Sequence, residues 1–350
     1  MNLLKRLVKN IMFLTSLFML AVLVAGCESP QSLSTSFKGQ TMGTTYHITI
    51  SSDLAEIDQG GLHKSIDSLL VAVNQSFSTY IASSEVSQLN KHTQQQAQIR
   101  SQEFIELLSE ALHISELTQG AYDITVAPLV NLWGFGPDFK EDDVPKSEQI
   151  NQALNNVGYE KILVDSRQGS IKKLNPSVYL DFSSIAKGYG VDKVAELLET
   201  NNHLNYMVEI GGEIRVRGLN PQGDKWRIAV ENPDSAGKSI YKVLNVSDIA
   251  IATSGDYRNF FEKDGIKFSH TINPTTGQPV QHNLASVTVL SQSSATADAW
   301  ATAFMVLGGK KGYDLAKENN LAALFLLKEG EATKALVTPA FKAVIEEHKR

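Results

Sequence analysis

One cysteine in 350 residues, Cys27, leaves no partner for an intramolecular disulfide and no thiolate set for zinc. Because that cysteine stands at the edge of an N-terminal leader, no thiol remains for nucleophilic catalysis in the body of the chain. Concentrated positive charge is missing too. The formal charge is −6 with basic residues scattered, which gives nucleic acid no face to bind. Heptads, fixed-period repeats and low-complexity tracts beyond Gln94, Gln95 and Gln96 are absent, so coiled coils and solenoids are excluded. Stability must come from a packed core.

What is present begins with Lys5, Arg6 and Lys9, an uncharged apolar run over 11–24, and then Ala25, Gly26 and Cys27. A basic start, a short apolar centre and small residues before a cut describe a secretory signal, since a membrane span needs about 20 apolar residues. The 24–27 segment resembles a bacterial lipobox, in which Cys27 receives lipid. Residues 1–26 are therefore expected to be a lipoprotein signal peptide and 27–36 a lipidated cysteine with a flexible Ser/Thr/Gln-rich tether. Folded structure is expected from Phe37 to about residue 346. That leaves roughly 310 residues, enough for one large domain or two intimately packed subdomains.

Tyr46, Ile48 and Ile50 alternate with polar neighbours, so 37–50 reads as a long strand or a strand pair. Leu62, Ile66, Leu69, Leu70, Val73 and Phe77 recur at helical spacing, as does the apolar set within 103–118. From Tyr159 onward short strands are predicted at 161–164, 170–172 and 178–180, feeding a helix over 184–199. Further strands are predicted at 206–210, 213–217, 226–230, 242–246, 267–272, 286–290 and 322–327, with a helix around Asp298 and another near 312–319. Strands and helices interleave without regular alternation. The expected class is α+β, with mixed, mainly antiparallel sheets and packed helices.

Asp298 and Thr302 lie four residues apart in an alanine-rich helical segment and so share one face. A carboxylate with a hydroxyl suits a hard cation such as Mg²⁺, which takes oxygen ligands and leaves positions open for phosphate. The segment from Asp181 to Gly190, where a strand gives way to a helix, offers glycines for close backbone approach and free N–H groups for anions. Neither a dinucleotide fingerprint nor a Walker A loop fits it. Gly211-Gly212 after an apolar strand is another close-approach candidate. His270, leaving a strand into a Pro/Gly-shaped loop, is placed for proton transfer. Tyr122 and Asp123, between Gly120 and Trp133, could hold a planar ring and its polar edge, or could simply pack a core.

Taken in order, these segments resemble the ApbE family of FAD:protein FMN transferases. The resemblance rests on MGT-Y at 42–46, GAYDITVAPLVNLWGFG at 120–136, the D-x-x-x-x-A-K-G-Y motif at 181–189 and GGE-x-R-x-G at 211–218. It continues with ATSGDYRN at 252–259, SHTINP-x-TG-x-P at 269–279 and ADAWATA-x-MVLG at 297–308. It implies Mg²⁺ held by Asp298, Thr302 and an oxygen of Ser184, and an FAD site lined by Met42, Tyr80, Ala121, Tyr122, Asp123, Asp181, Lys187 and Ile272. It further implies transfer of FMN to a Thr or Ser hydroxyl with release of AMP, His270 serving as base and Asp181 as the alternative. A Mg²⁺-dependent FAD pyrophosphatase and a non-catalytic flavin-binding lipoprotein are the competing readings. The expected acceptors are periplasm-exposed flavoprotein subunits, such as those of the sodium-pumping NADH:quinone reductase or a related electron-transport complex. The expected location is the periplasmic face of a bacterial membrane, the inner one preferred because those acceptors reside there.

Overall fold

The computed structural model describes residues 33–52, 58–136, 144–233, 239–256, 260–263, 265–330 and 332–348. Cys27 and the leader lie outside them. The first half of the chain comprises β1 (Leu33–Thr41), β2 (Thr44–Ser52), α1 (Gln59–Phe77), α2 (Glu85–Lys91), β3 (Gln98–Ile99), α3 (Gln102–Leu117), α4 (Ala127–Leu132) and α5 (Ser147–Leu154). Next come β4 (Ile162–Asp165), β5 (Ser170–Lys173), α6 (Ala186–Thr200), β6 (Tyr206–Ile210), β7 (Glu213–Arg217), β8 (Trp226–Glu231), β9 (Ile240–Val246) and β10 (Ile249–Gly255). The chain finishes with β11 (Phe260–Lys263), β12 (Ile266–Ser269), β13 (Leu284–Ser291), α7 (Ser294–Leu307), α8 (Gly309–Glu318), β14 (Ala322–Glu329), β15 (Ala332–Val337) and α9 (Pro339–Glu347).

The expected α+β class holds. An eight-stranded sheet in the order β1-β2-β6-β7-β10-β13-β14-β15 is antiparallel at every step. The β1–β2 hairpin turns on Met42 and Gly43, both at positive φ (51° and 72°), with Thr41 paired to Thr44. Such a two-residue turn matches the twist of its strands. β1 starts at Leu33, four residues before the expected onset of folded structure.

β13 and β14 are apolar on both faces because both faces are covered. Val287, Val289, Ala323 and Phe325 join the core beneath α7, whereas Leu290, Ala322, Leu324 and Leu326 pack with Trp226, Leu244 and Phe341 on the other side. α7 is rich in alanine because it is buried nearly all round, between β10, β13 and α6. Its small side chains let those neighbours approach.

The predicted strand at 178–180 is irregular instead, and side chains replace the strand partner. Asn90 accepts the Leu180 N–H at 2.7 Å and donates to the Leu180 carbonyl at 2.9 Å. The buried Lys173 ammonium donates to the carbonyls of Asn90, Pro176 and Val178 at 3.1, 2.8 and 3.2 Å. The following helix, α6, begins at Ala186, so Ser184 lies in the turn before it rather than in its first turn.

Candidate active site

Two helix starts build the floor of the site. At one, Asp192 of α6 accepts the N–H groups of Ser294 and Ala295, both at 3.0 Å, and the Ser293 hydroxyl at 2.8 Å. These are the orphan donors at the N-terminus of α7, capped here by a side chain from another helix. Arg215 anchors the same carboxylate at 2.9 Å. At the other, Asp298 of α7 accepts the Gly188 N–H in the first turn of α6 at 3.2 Å. Each helix thus caps the other. Gly188 permits it, since a Cβ there would stand 2.3 Å from the Ser294 carbonyl oxygen.

Above this floor opens a cavity of about 600 Å³. Tyr80, Ala121, Tyr122, Asp123, Asp181, Ser184, Lys187, His270, Ile272, Asp298 and Thr302 all line it. Residues from five separated stretches of chain therefore meet in one place. Met42 lines an adjoining cavity instead, and the two spaces share Thr79, Tyr80, Asp181, Ser183 and Lys187 along their boundary. Of the 252–259 motif, residues 257–259 lie outside the described residues, while Thr253, Ser254 and Gly255 line the first cavity.

Each wall has its own support. Asp181 is tied by its N–H to the Ile124 carbonyl at 2.8 Å and accepts the Ser183 N–H at 2.9 Å, while burial raises its pKa above the usual carboxylate range. The Ser184 hydroxyl donates to the Tyr122 hydroxyl at 3.1 Å. Asp123 accepts from the Thr125 N–H at 2.8 Å, its hydroxyl at 2.6 Å and the Tyr159 N–H at 2.9 Å. Burial pushes Asp123 up to about 6, against those three donors. The Trp133 indole donates to the Gly277 carbonyl at 2.8 Å, locking the 120–136 wall to the loop after His270. Phe135 sets its edge against the His270 ring, 6.3 Å between centroids.

The central group is not among the site residues expected from the sequence. Glu213, the first residue of β7, is 4% exposed and lines the cavity. Lys187 Nζ lies 3.2 Å from Glu213 Oε1 and 3.5 Å from Asp298 Oδ2. Gly211, at φ 60°, lets the lysine stem pass, because a Cβ there would meet Lys187 Cδ at 3.3 Å. Burial raises both carboxylates above their usual range, and Lys187 draws both back. Two buried carboxylates share a single ammonium. In the sequence Glu213 is marked by its place after two glycines, in the GGE-x-R-x-G motif, and by nothing that assigns it a role.

A divalent cation fits this donor set. The Asp298 carboxylate and the oxygens of Thr302 and Ser184 face one cavity, and Asp123, Asp181, Glu213 and Asp298 outnumber Lys187 around it. A diphosphate would be repelled from such a wall unless positive charge came with it. Among the described residues, no three His, Cys, Asp or Glu side chains form a ligand cage. A cation would therefore rest on the Asp298 carboxylate with hydroxyl or carbonyl oxygens beside it, the chemistry of a hard ion.

An antiparallel α+β domain with a buried carboxylate and lysine floor, facing a cavity sized for a small-molecule substrate, defines a group-transfer enzyme of the flavin transferase class. The ApbE family pattern matches residues 42–325, and this chain belongs to the ApbE family. It is 44% identical to the FAD:protein FMN transferase of Vibrio cholerae over 92% of this chain and 95% of that protein. The corresponding figures for the FAD:protein FMN transferase of Haemophilus influenzae are 41%, 93% and 96%. The solved flavin transferase ApbE from Vibrio cholerae superposes with a TM-score of 0.84 at 42% identity, covering 89% of this chain and 99% of that one.

Proposed function

We propose that this chain is a Mg²⁺-dependent FAD:protein FMN transferase. The observation that carries the metal-dependent reading is the pairing of Asp298 and Thr302 on one face of α7, opposite Ser184 and Lys187, around one cavity. Met42, Tyr80, Ala121, Tyr122, Asp123, Asp181, Lys187 and Ile272 would receive FAD, with Met42 contributing from the adjoining cavity.

Asp298, Thr302 and an oxygen of Ser184 would hold Mg²⁺, which when bound neutralises diphosphate charge and eases departure of the leaving group. The rest is positioning. The hydroxyl oxygen of an acceptor Thr or Ser forms a bond to the flavin-side phosphorus. The bond from that phosphorus to the bridging oxygen breaks, and AMP leaves with that oxygen. His270 takes the hydroxyl proton, and Asp181 is the alternative base. The Tyr122 wall, fixed through Ser184, orients the substrate and keeps water off the phosphorus.

The acceptor reading extends to periplasm-exposed flavoprotein subunits, including those of the sodium-pumping NADH:quinone reductase or a related electron-transport complex. The leader and Cys27 support export and lipid anchoring at the periplasmic face, with the inner membrane preferred.

Incubating the full-length chain with FAD, Mg²⁺ and a candidate acceptor, then weighing the acceptor, tests the proposal. A mass gain equal to FMN, dependent on Mg²⁺ and lost in Asp298→Asn, is the expected result. Free FMN and AMP with an unmodified acceptor would make the chain a pyrophosphatase; unaltered FAD would make it a binding protein.

A further inference from the structure

Lys187 stands between two carboxylates, and its interaction with one of them conflicts with the metal reading on which this inference rests. A divalent cation and an ammonium group compete for Asp298, because like charges a few ångströms apart in a buried site repel strongly. The ammonium must therefore have somewhere else to go. Glu213 provides that place: its Oε1 already sits 3.2 Å from Lys187 Nζ, closer than Asp298 at 3.5 Å, and its Oε2 is buried with no hydrogen-bond partner.

The two partners differ in mobility. Glu213 is fixed at the start of β7, where it pairs with Ile210 across the Gly211-Gly212 turn. Lys187 carries its charge on a flexible four-carbon stem with three rotatable donors. The absent side chain at Gly211 leaves that stem free on the side of β7, where even a methyl group would stand 3.3 Å from Cδ. The lysine can therefore shift without moving a strand or a helix.

We propose that Glu213 is a positioning residue that draws the Lys187 ammonium away from Asp298 when a divalent cation arrives. In the metal-free protein the lysine stands in for that cation on Asp298. In the loaded protein it pairs wholly with Glu213, using the second oxygen, and leaves Asp298 to the metal.

The test is Mn²⁺ binding to the full-length chain, read as loss of the free-ion signal in electron paramagnetic resonance, without flavin or acceptor. Glu213→Gln should raise the half-saturating Mn²⁺ concentration about tenfold, because Lys187 then remains on Asp298. Lys187→Met should lower it several-fold, and in that background Glu213→Gln should change it by less than about twofold. Glu213→Asp keeps the charge but withdraws the oxygens from Lys187, so it too should weaken binding. Thermal melts identify the variants that fold; if Glu213→Gln does not, Glu213→Asp with and without Lys187→Met carries the same comparison. An equal loss in both backgrounds, or an unchanged Glu213→Asp, would show that Glu213 acts as a plain charge and overturn the exchange. Failure of the unaltered chain to bind Mn²⁺, or binding undiminished in Asp298→Asn, would instead remove the metal reading, and the exchange with it.

Discussion

Asp298 accepts the Gly188 N–H while Asp192, four residues beyond Gly188 on the same helix, accepts the first N–H groups of the helix that carries Asp298. The carboxylate proposed to face the substrate is thus held in register by a second carboxylate that does not line the cavity. Helix N-termini favour negative charge, so both contacts are attractive, and being buried they are weakly screened.

Asp192→Ala should cost about 3 kcal/mol of stability, since it unpairs the Ser294 and Ala295 N–H groups at the start of α7, leaving only the Ser293 cap on Thr296, and leaves Arg215 without its nearest partner. Urea denaturation measures the loss. Transfer should also fall, with a higher Mg²⁺ requirement, because α7 sets the position of Asp298 and Thr302.

Gly188→Ala pits two effects against each other. Helix propensity favours alanine by about 1 kcal/mol. Overpacking costs up to about 3 kcal/mol, and here the obstruction is the rigid Ser294 backbone rather than a flexible side chain. Net destabilisation with reduced turnover is expected. A more stable, fully active variant would show that the two helices can separate freely.

His270→Ala should lower kcat by about 10² or more while leaving the FAD dissociation constant within a few-fold. Steady-state kinetics with parallel flavin-binding titrations separates the two. Weaker FAD binding at unchanged kcat would assign His270 to holding substrate and transfer the proton role to Asp181.

Asp123 gives a pH signature. Its folded pKa of about 6 lies above the ordinary 3.8, so folding favours the protonated form. Its stabilising contribution is full below about pH 4 and is lost as pH rises through about 6, on the order of 3 kcal/mol. Asp123→Asn should flatten the stability profile across that window in denaturation curves taken at several pH values.

Periodicity made the main framework legible. The stripes of α1 and α3, the alternation in β2 and the apolar strands β13 and β14 were all readable from spacing. Short helices such as α2, α4 and α5 were not, because six to eight residues hold too few turns to show a stripe. Segment 178–180 misled because its apolar side chains are buried as a strand's would be, while its backbone groups are satisfied by the side chains of Asn90 and Lys173, which no local pattern reveals. The i, i+4 relation of Asp298 to Thr302 and the His270 loop were local features. Glu213, though within the GGE-x-R-x-G motif, and Asp192 carried no assignable role, since what distinguishes them is a partner on another element: Lys187 for one, Ser294 for the other.

The two reciprocal caps join residues 110 and 102 positions apart in sequence. Contacts of such long range close large loops, so the floor of the pocket depends on both halves of the chain being present. A chain that ends before residue 293 keeps the Lys187–Glu213 and Arg215–Asp192 pairs but lacks Asp298, Thr302 and the helix start that Asp192 caps, and it should bind neither flavin nor metal.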